Sequence, residues 1–172
     1  MRTVALRVAA LALLLLLVLV SAITVRMLNG LPNSLVYFVK SQGTTLTLEG
    51  VRRRFDADTP EERLGAALQA LIEGPGESGE AGLSSAFPSD TEVRGLELTG
   101  DTVTVDLSDD FAGGGDAAPI RGRLNQLFYT LAQPTNVKGV SLRVEGESVE
   151  VLGGEGVPQP WREPEERTLP TW

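Results

Sequence analysis

Residues 59–76, TPEERLGAALQALIEGPG, decide how the rest of the chain is read. Thr59 stands where a helix needs an N-cap, Pro60 suits the first helical position, and Glu62 completes a capping box. Leu64, Ala67, Leu68 and Leu71 recur at helical spacing and build one apolar face. Gly74-Pro75-Gly76 then stops the helix. On either side of this segment the apolar residues alternate with a period of two, so the helix interrupts a strand-rich chain.

Upstream, Leu35-Val36-Tyr37-Phe38-Val39 is a continuous apolar run of β-favouring residues, the pattern of a strand buried on both faces. Leu46, Leu48, Val51, Arg53 and Phe55 mark a second strand region ending at Asp56. Its Arg52-Arg53-Arg54 run reads as a charged edge that resists aggregation, with anion binding as the functional alternative. Residues 27–34 read as a short linker.

Downstream, a Gly- and Ser-rich loop runs to Pro88 without the spacing or the Lys-Ser/Thr ending of a phosphate loop. Leu96 and Leu98, the turn Gly100-Asp101, and Val103, Val105 and Leu107 form a hairpin pattern. Asp116 can cap a second helix bearing Ile120, Leu124, Phe128 and Leu131, which Pro134 closes. Val140, Leu142 and Val144, then Gly146-Glu147, then Val149 and Val151 make another hairpin. The order β-β-α-β-β-α-β-β predicts an α+β fold: a mainly antiparallel or mixed sheet with two helices packed on one face, covering residues 35–153. Residues 154–172, rich in proline and without periodicity, read as a flexible tail.

The N-terminus fixes the compartment. Val8 to Val25 is uncharged and apolar, with Arg2 and Arg7 before it and Arg26 after. As a helix it would be roughly 27 Å long, against a hydrocarbon core of about 30 Å. Residues 1–26 therefore read either as a transmembrane anchor or as a signal peptide cut near Val20-Ser21-Ala22. Both place the domain outside the cytoplasm, held at a bacterial cell membrane in the first case, secreted or periplasmic in the second. With no cysteine, the chain has neither disulfides nor a thiol for lipid attachment. The predominance of arginine over Lys40 and Lys138, the only lysines, fits a GC-rich bacterial genome. A formal net charge of −8 argues against nucleic acid as a partner.

Several stretches resemble the GerMN domain, named for a bacterial sporulation and spore-germination protein. They are Val36-Tyr37-Phe38-Val39, the run Ala67 to Pro75, and Gly82-Leu83-Ser84-Ser85-Ala86-Phe87-Pro88 with Thr91. Next come Val103-Thr104-Val105-Asp106-Leu107-Ser108 with Phe111, then Gln126-Leu127-Phe128-Tyr129-Thr130-Leu131, then Val137-Lys138-Gly139-Val140. The resemblance implies a non-catalytic envelope module that works by protein interaction, without cofactor and with no catalytic residues to carry over. The family's best-known members are lipoproteins with paired domains, whereas this chain shows one domain and no lipid-attachment cysteine.

The residues themselves agree with that expectation. Without His or Cys, neither Ser-His-Asp nor Cys-His machinery can be assembled, and zinc loses its usual ligands. Asp106 with Asp109 or Asp110 is the densest acidic cluster and the candidate for a carboxylate glycan hydrolase or a Ca²⁺ site. Asp106 and Ser108 read more simply as strand-end and turn residues, Thr130 as a partner for a backbone carbonyl, and Phe128 or Tyr129 as core. A Ser-Lys dyad would require Lys40 or Lys138 beside a serine. Trp161 and Trp172 are the free aromatic candidates for a peptidoglycan or polysaccharide platform, although both fall in the tail. The expected partners are thus the membrane, through the N-terminal helix, and envelope proteins or further copies of the chain, with peptidoglycan as the alternative.

Overall fold

The computed structural model describes residues 16–18, 20–21, 34–43, 45–76, 82–114, 117–132 and 137–162. The chain divides into a unit up to Pro32 and a unit from Asn33 onward. In the first unit, Leu16, Leu17, Val18, Val20 and Ser21 are helical and exposed. The remainder of the expected anchor and residues 27–33 of the expected linker lie outside the described residues. Among the described residues no helix is long and apolar enough to cross a membrane.

The second unit is α+β. Strands β1 (Ser34–Gln42) and β2 (Thr45–Arg53) form an antiparallel hairpin in which Val36 faces Val51 and Val39 faces Leu48. Val36, Tyr37, Phe38 and Val39 are all buried, so β1 has no solvent face, as its unbroken apolar run predicts. Gly50 sits under the Tyr37 ring, where a Cβ would come within 3.2 Å of a ring carbon.

Helix α1 (Pro60–Glu73) begins and ends where the sequence places it. The Glu62 amide donates to Thr59 Oγ1 at 3.2 Å, and the Thr59 amide donates to Glu62 Oε2 at 3.1 Å. Leu64, Ala67, Leu68, Leu71 and Ile72 are the buried face, and Gly74 leaves the helix at a φ of 87° that favours glycine. A short strand β3 (Leu83–Ser84) then pairs with β1 at Val39 and Lys40.

Strands β4 (Val93–Thr99) and β5 (Thr102–Leu107) make the expected hairpin, with a bulge between Val93 and Gly95. A 3₁₀ turn over Asp109–Phe111 leads towards α2 (Ala117–Leu131), and β6 (Gly139–Val144) returns parallel to β5. A parallel pair requires a long crossover, and α2 supplies it. The expected cap Asp116 and stop Pro134 lie outside the described residues.

Two features depart from the expected single sheet with helices on one face. Among the described residues the strands form three sheets: β2-β1-β3; β10 (Trp161–Arg162)-β6-β5-β4 with β7 (Glu147–Ser148) beside β6; and β8 (Val151–Leu152) with β9 (Glu155–Gly156). In addition, α2 is buried around its circumference from Gly122 to its end rather than lying on a surface. The reason lies at the far edge of β1. There the Tyr37 amide donates to Thr130 Oγ1 at 3.0 Å, and Gln126 Nε2 donates to the Tyr37 carbonyl at 3.0 Å. Side chains of α2 thus take the backbone groups that another strand would have used, and they close the edge. Thr130 accordingly accepts from an N–H, not the carbonyl role its type suggested. Thr130→Val should lower the unfolding free energy by about 1–2 kcal/mol by orphaning that buried amide. Urea denaturation would read the loss, and faster exchange at the Tyr37 amide would locate it.

The expected tail is corrected as far as Arg162. After β7 (Glu147–Ser148) come β8 (Val151–Leu152), β9 (Glu155–Gly156) and β10 (Trp161–Arg162). Trp161 pairs with Val140 on β6, and Arg162 pairs with Gly139. The Gln159 side chain behaves like one more strand residue: its Oε1 accepts from the Leu142 amide at 3.0 Å, and its Nε2 donates to the Leu142 carbonyl at 3.2 Å. These contacts come from isolated residues between prolines, which no periodicity announces. Residues 163–172 lie outside the described residues.

Candidate functional site

Helix α2 carries polar residues inside the fold. Arg123, Gln126 and Thr130 are spaced three and four apart, so they share one face of the helix. Gln126 accepts from the Ala86 amide at 2.7 Å and donates to Tyr37, joining the loop before β4 to β1.

Arg123 is only 5% exposed and has no carboxylate partner among the described residues. Instead its guanidinium donates to four backbone carbonyls. Nε reaches Ala86 at 2.9 Å, Nη1 reaches Phe111 and Gly113 at 2.7 Å each, and Nη2 reaches Gly114 at 3.0 Å. Burial lowers its pKa from the ordinary arginine value. The planar fork of donors holds the loop at Ala86 and the turn at 111–114 to the helix, a task for which a lysine lacks the geometry. Phe87 and Phe111, which belong to the two segments so held, pack on each other with ring centroids 5.1 Å apart.

A cleft of about 420 Å³ opens beside this node, lined by Pro88, Asp90, Asp110, Gly113, Gly114 and Arg123. Asp110 Oδ2 accepts from Ser108 Oγ at 3.1 Å, and Ser108 Oγ in turn accepts from the Glu92 amide at 3.0 Å. The two aspartates are exposed, and the nearby arginine is committed to carbonyls. The arrangement organises loops: the Ser108 hydroxyl is engaged by the Glu92 amide and the Asp110 carboxylate, and Arg123 by carbonyls.

The candidates from the sequence are scattered. Asp106 accepts from the Gly146 amide at 2.9 Å and so closes the turn after β6, whereas Asp109 is exposed and its amide donates to Glu145 at 3.2 Å. Asp106 and Ser108 are thus the strand-end and turn residues their positions suggest. Among the described residues no group of three His, Cys, Asp or Glu is placed to hold a metal. Lys40 pairs with Glu49, and Lys138 is exposed with its backbone amide donating to the Asp101 carbonyl at 2.8 Å. Phe128 and Tyr129 are core residues in edge contact at 5.4 Å.

Trp161 is not free. Its ring stacks on Phe128 with centroids 4.8 Å apart and planes at 24°, and it is partly buried against the core. Trp172 lies outside the described residues. Trp161→Ala should cost about 2–3 kcal/mol through lost apolar contact. Thermal unfolding would measure the loss, and the near-UV signal should lose the contribution of the Trp161 ring stacked on Phe128.

Sequence reasoning missed Arg123, Gln126 and Gln159. For the first two a signal was present: polar residues at positions 123, 126 and 130 fall on a single face of the helix, among the apolar Leu124, Leu127 and Leu131.

The fold and its buried polar helix define a small α+β domain whose internal polar groups serve the backbone. The chain belongs to the Germane family, described as sporulation and spore germination, which matches residues 35–150. Among solved structures it is similar to the tandem GerMN domains of the sporulation protein GerM from Bacillus subtilis. The identity is 25% and the TM-score 0.63, over 77% of this chain and 44% of that one. The chain therefore spans less than half the length of that structure. It is also similar in fold to the first GerMN domain of the same protein, at 20% identity and a TM-score of 0.60, covering 76% of this chain and 96% of that one. A Clostridium perfringens protein proposed to be a lipoprotein shares the fold at 22% identity and a TM-score of 0.55, over 79% and 90% of the two chains. No curated protein matches the chain.

Proposed function

We propose that this chain is an exported envelope protein whose GerMN domain serves, without catalysis, as a scaffold for other envelope proteins or for further copies of itself. The observation that carries the reading is the commitment of Arg123, Gln126 and Thr130, which bond to backbone groups of three separate segments. The interior polar chemistry fixes a rigid body, which is what an assembly module needs, and the surface is left to make contacts. The apolar run from Val8 to Val25 supplies export and, if retained, attachment.

Crosslinking mass spectrometry on intact cells, with the full-length protein at native level, tests this. Reproducible links from residues 34–162 to one envelope protein, or between copies, are expected. Links only to random neighbours, with the protein retained on the purified wall sacculus, would replace the scaffold with a glycan-binding role.

A further inference from the structure

Where β2 ends, residues 53–55 pass the C-terminal end of α1, and a cleft of about 330 Å³ lies between them. Arg53, Arg54, Phe55, Ala70, Glu73 and Gly74 line it. Arg53 is half-buried, and its Nη2 donates to the Pro75 carbonyl at 2.6 Å. That bond holds the guanidinium in place without neutralising it. Its Nε is shut off from solvent with no acceptor, and no carboxylate pairs with Arg53 among the described residues.

A half-buried cation with unmet donors calls for an explanation. Nη1 also has no acceptor among the described residues, so it remains able to receive a charge-assisted hydrogen bond partner. Phe55 and Ala70 are partly buried and give the cleft an apolar wall. Arg54, exposed, adds a second cation to the lining. The opposing charge there is Glu73, which accepts from Gln69 Nε2 at 3.1 Å. On a chain of net charge −8, Arg53 gives this cleft a fixed cation with no carboxylate paired to it among the described residues.

We propose that this cleft binds an oxyanion, a carboxylate or phosphate carried on a short apolar stem, with Arg53 as the anchor. The site is independent of the scaffold reading: it requires only a fixed guanidinium and a wall for the stem.

The test titrates the isotope-labelled full-length chain, in a neutral detergent, with sodium butyrate and with sodium phosphate at constant ionic strength, using sodium chloride as control. Saturable amide shifts confined to residues 53–55 and 70–76 are expected with at least one oxyanion and not with chloride. The oxyanion that saturates at lower concentration identifies the ligand's headgroup. Arg53→Met should weaken binding by about tenfold or more. Glu73→Gln, which removes a like charge from an exposed position, should tighten it by about threefold. Failure of both oxyanions to saturate, or an affinity unchanged in Arg53→Met, would leave Arg53 only the task of closing the end of α1. Should Arg53→Met not fold, an unchanged affinity in Glu73→Gln would overturn the proposal equally.

Discussion

Replacing Arg123 with methionine is expected to remove about 3–5 kcal/mol of stability, because several carbonyls lose a charged donor at once and each such loss in a buried setting costs about 1–3 kcal/mol. Methionine fills much of the volume, so the loss comes from the carbonyls of Ala86, Phe111, Gly113 and Gly114, left without their donor. Lysine at the same position should recover little. Its ammonium presents three donors from a single point and cannot bridge a loop on one side and a turn on the other. Urea denaturation of both variants measures the effect, and the amides of residues 111–114 should show the largest chemical-shift changes. A loss below about 1 kcal/mol would mean that these carbonyls find water instead, and that the arginine does not act as a clamp.

Gly153→Ala is the second large effect. Gly153 has a φ of 55°, and a Cβ there would stand 2.6 Å from Cγ1 of Ile120 on α2. An L-residue in that backbone region costs about 1–2 kcal/mol, and forced overpacking costs about 1–3 more. A total of about 2–5 kcal/mol is expected, read from the midpoint of chemical unfolding. Gly154→Ala provides the comparison: its φ of 84° is also positive, but a Cβ would meet nothing within 4 Å. It should lose the backbone part alone. In an Ile120→Ala background most of the extra cost of Gly153→Ala should be lost, because Cγ1 is gone and only Cβ of residue 120, at 3.2 Å, stays close. Equal losses at the two glycines in the native background would show that the backbone, and not the packing against α2, governs this turn.

Local order was legible in the sequence, and long-range order much less so. Helix α1 could be placed from Thr59, Pro60, Glu62 and Gly74 because caps and stops are contacts between near neighbours. The β4–β5 hairpin was legible for the same reason, and the double burial of β1 followed from a run without alternation. The partition into separate sheets was not, because it depends on Gln126 and Thr130 reaching Tyr37 across 89 and 93 residues. Nor was the ordered segment from Gly154 to Arg162, held by Gln159 and Trp161 acting one at a time. As for a functional site, composition excluded His- and Cys-based chemistry at once, yet the acidic cluster that drew attention dissolves into turn contacts at Asp106 and Asp110. The membership in the Germane family was legible because several short motifs keep their order along the chain.

The distance between Tyr37 and Thr130 also sets a timetable. Synthesis and any export proceed from the N-terminus, so β1 leaves the ribosome 93 residues before the side chain that covers its backbone. Through that interval the hairpin β1–β2 has its second edge open at Tyr37 and its apolar residues without α2, the condition in which strands recruit the wrong neighbour. Contacts this remote in sequence form late and together. Partial chains ending before α2 should therefore need a holding chaperone, and the domain matures late, once α2 and then β6 and β10 have emerged.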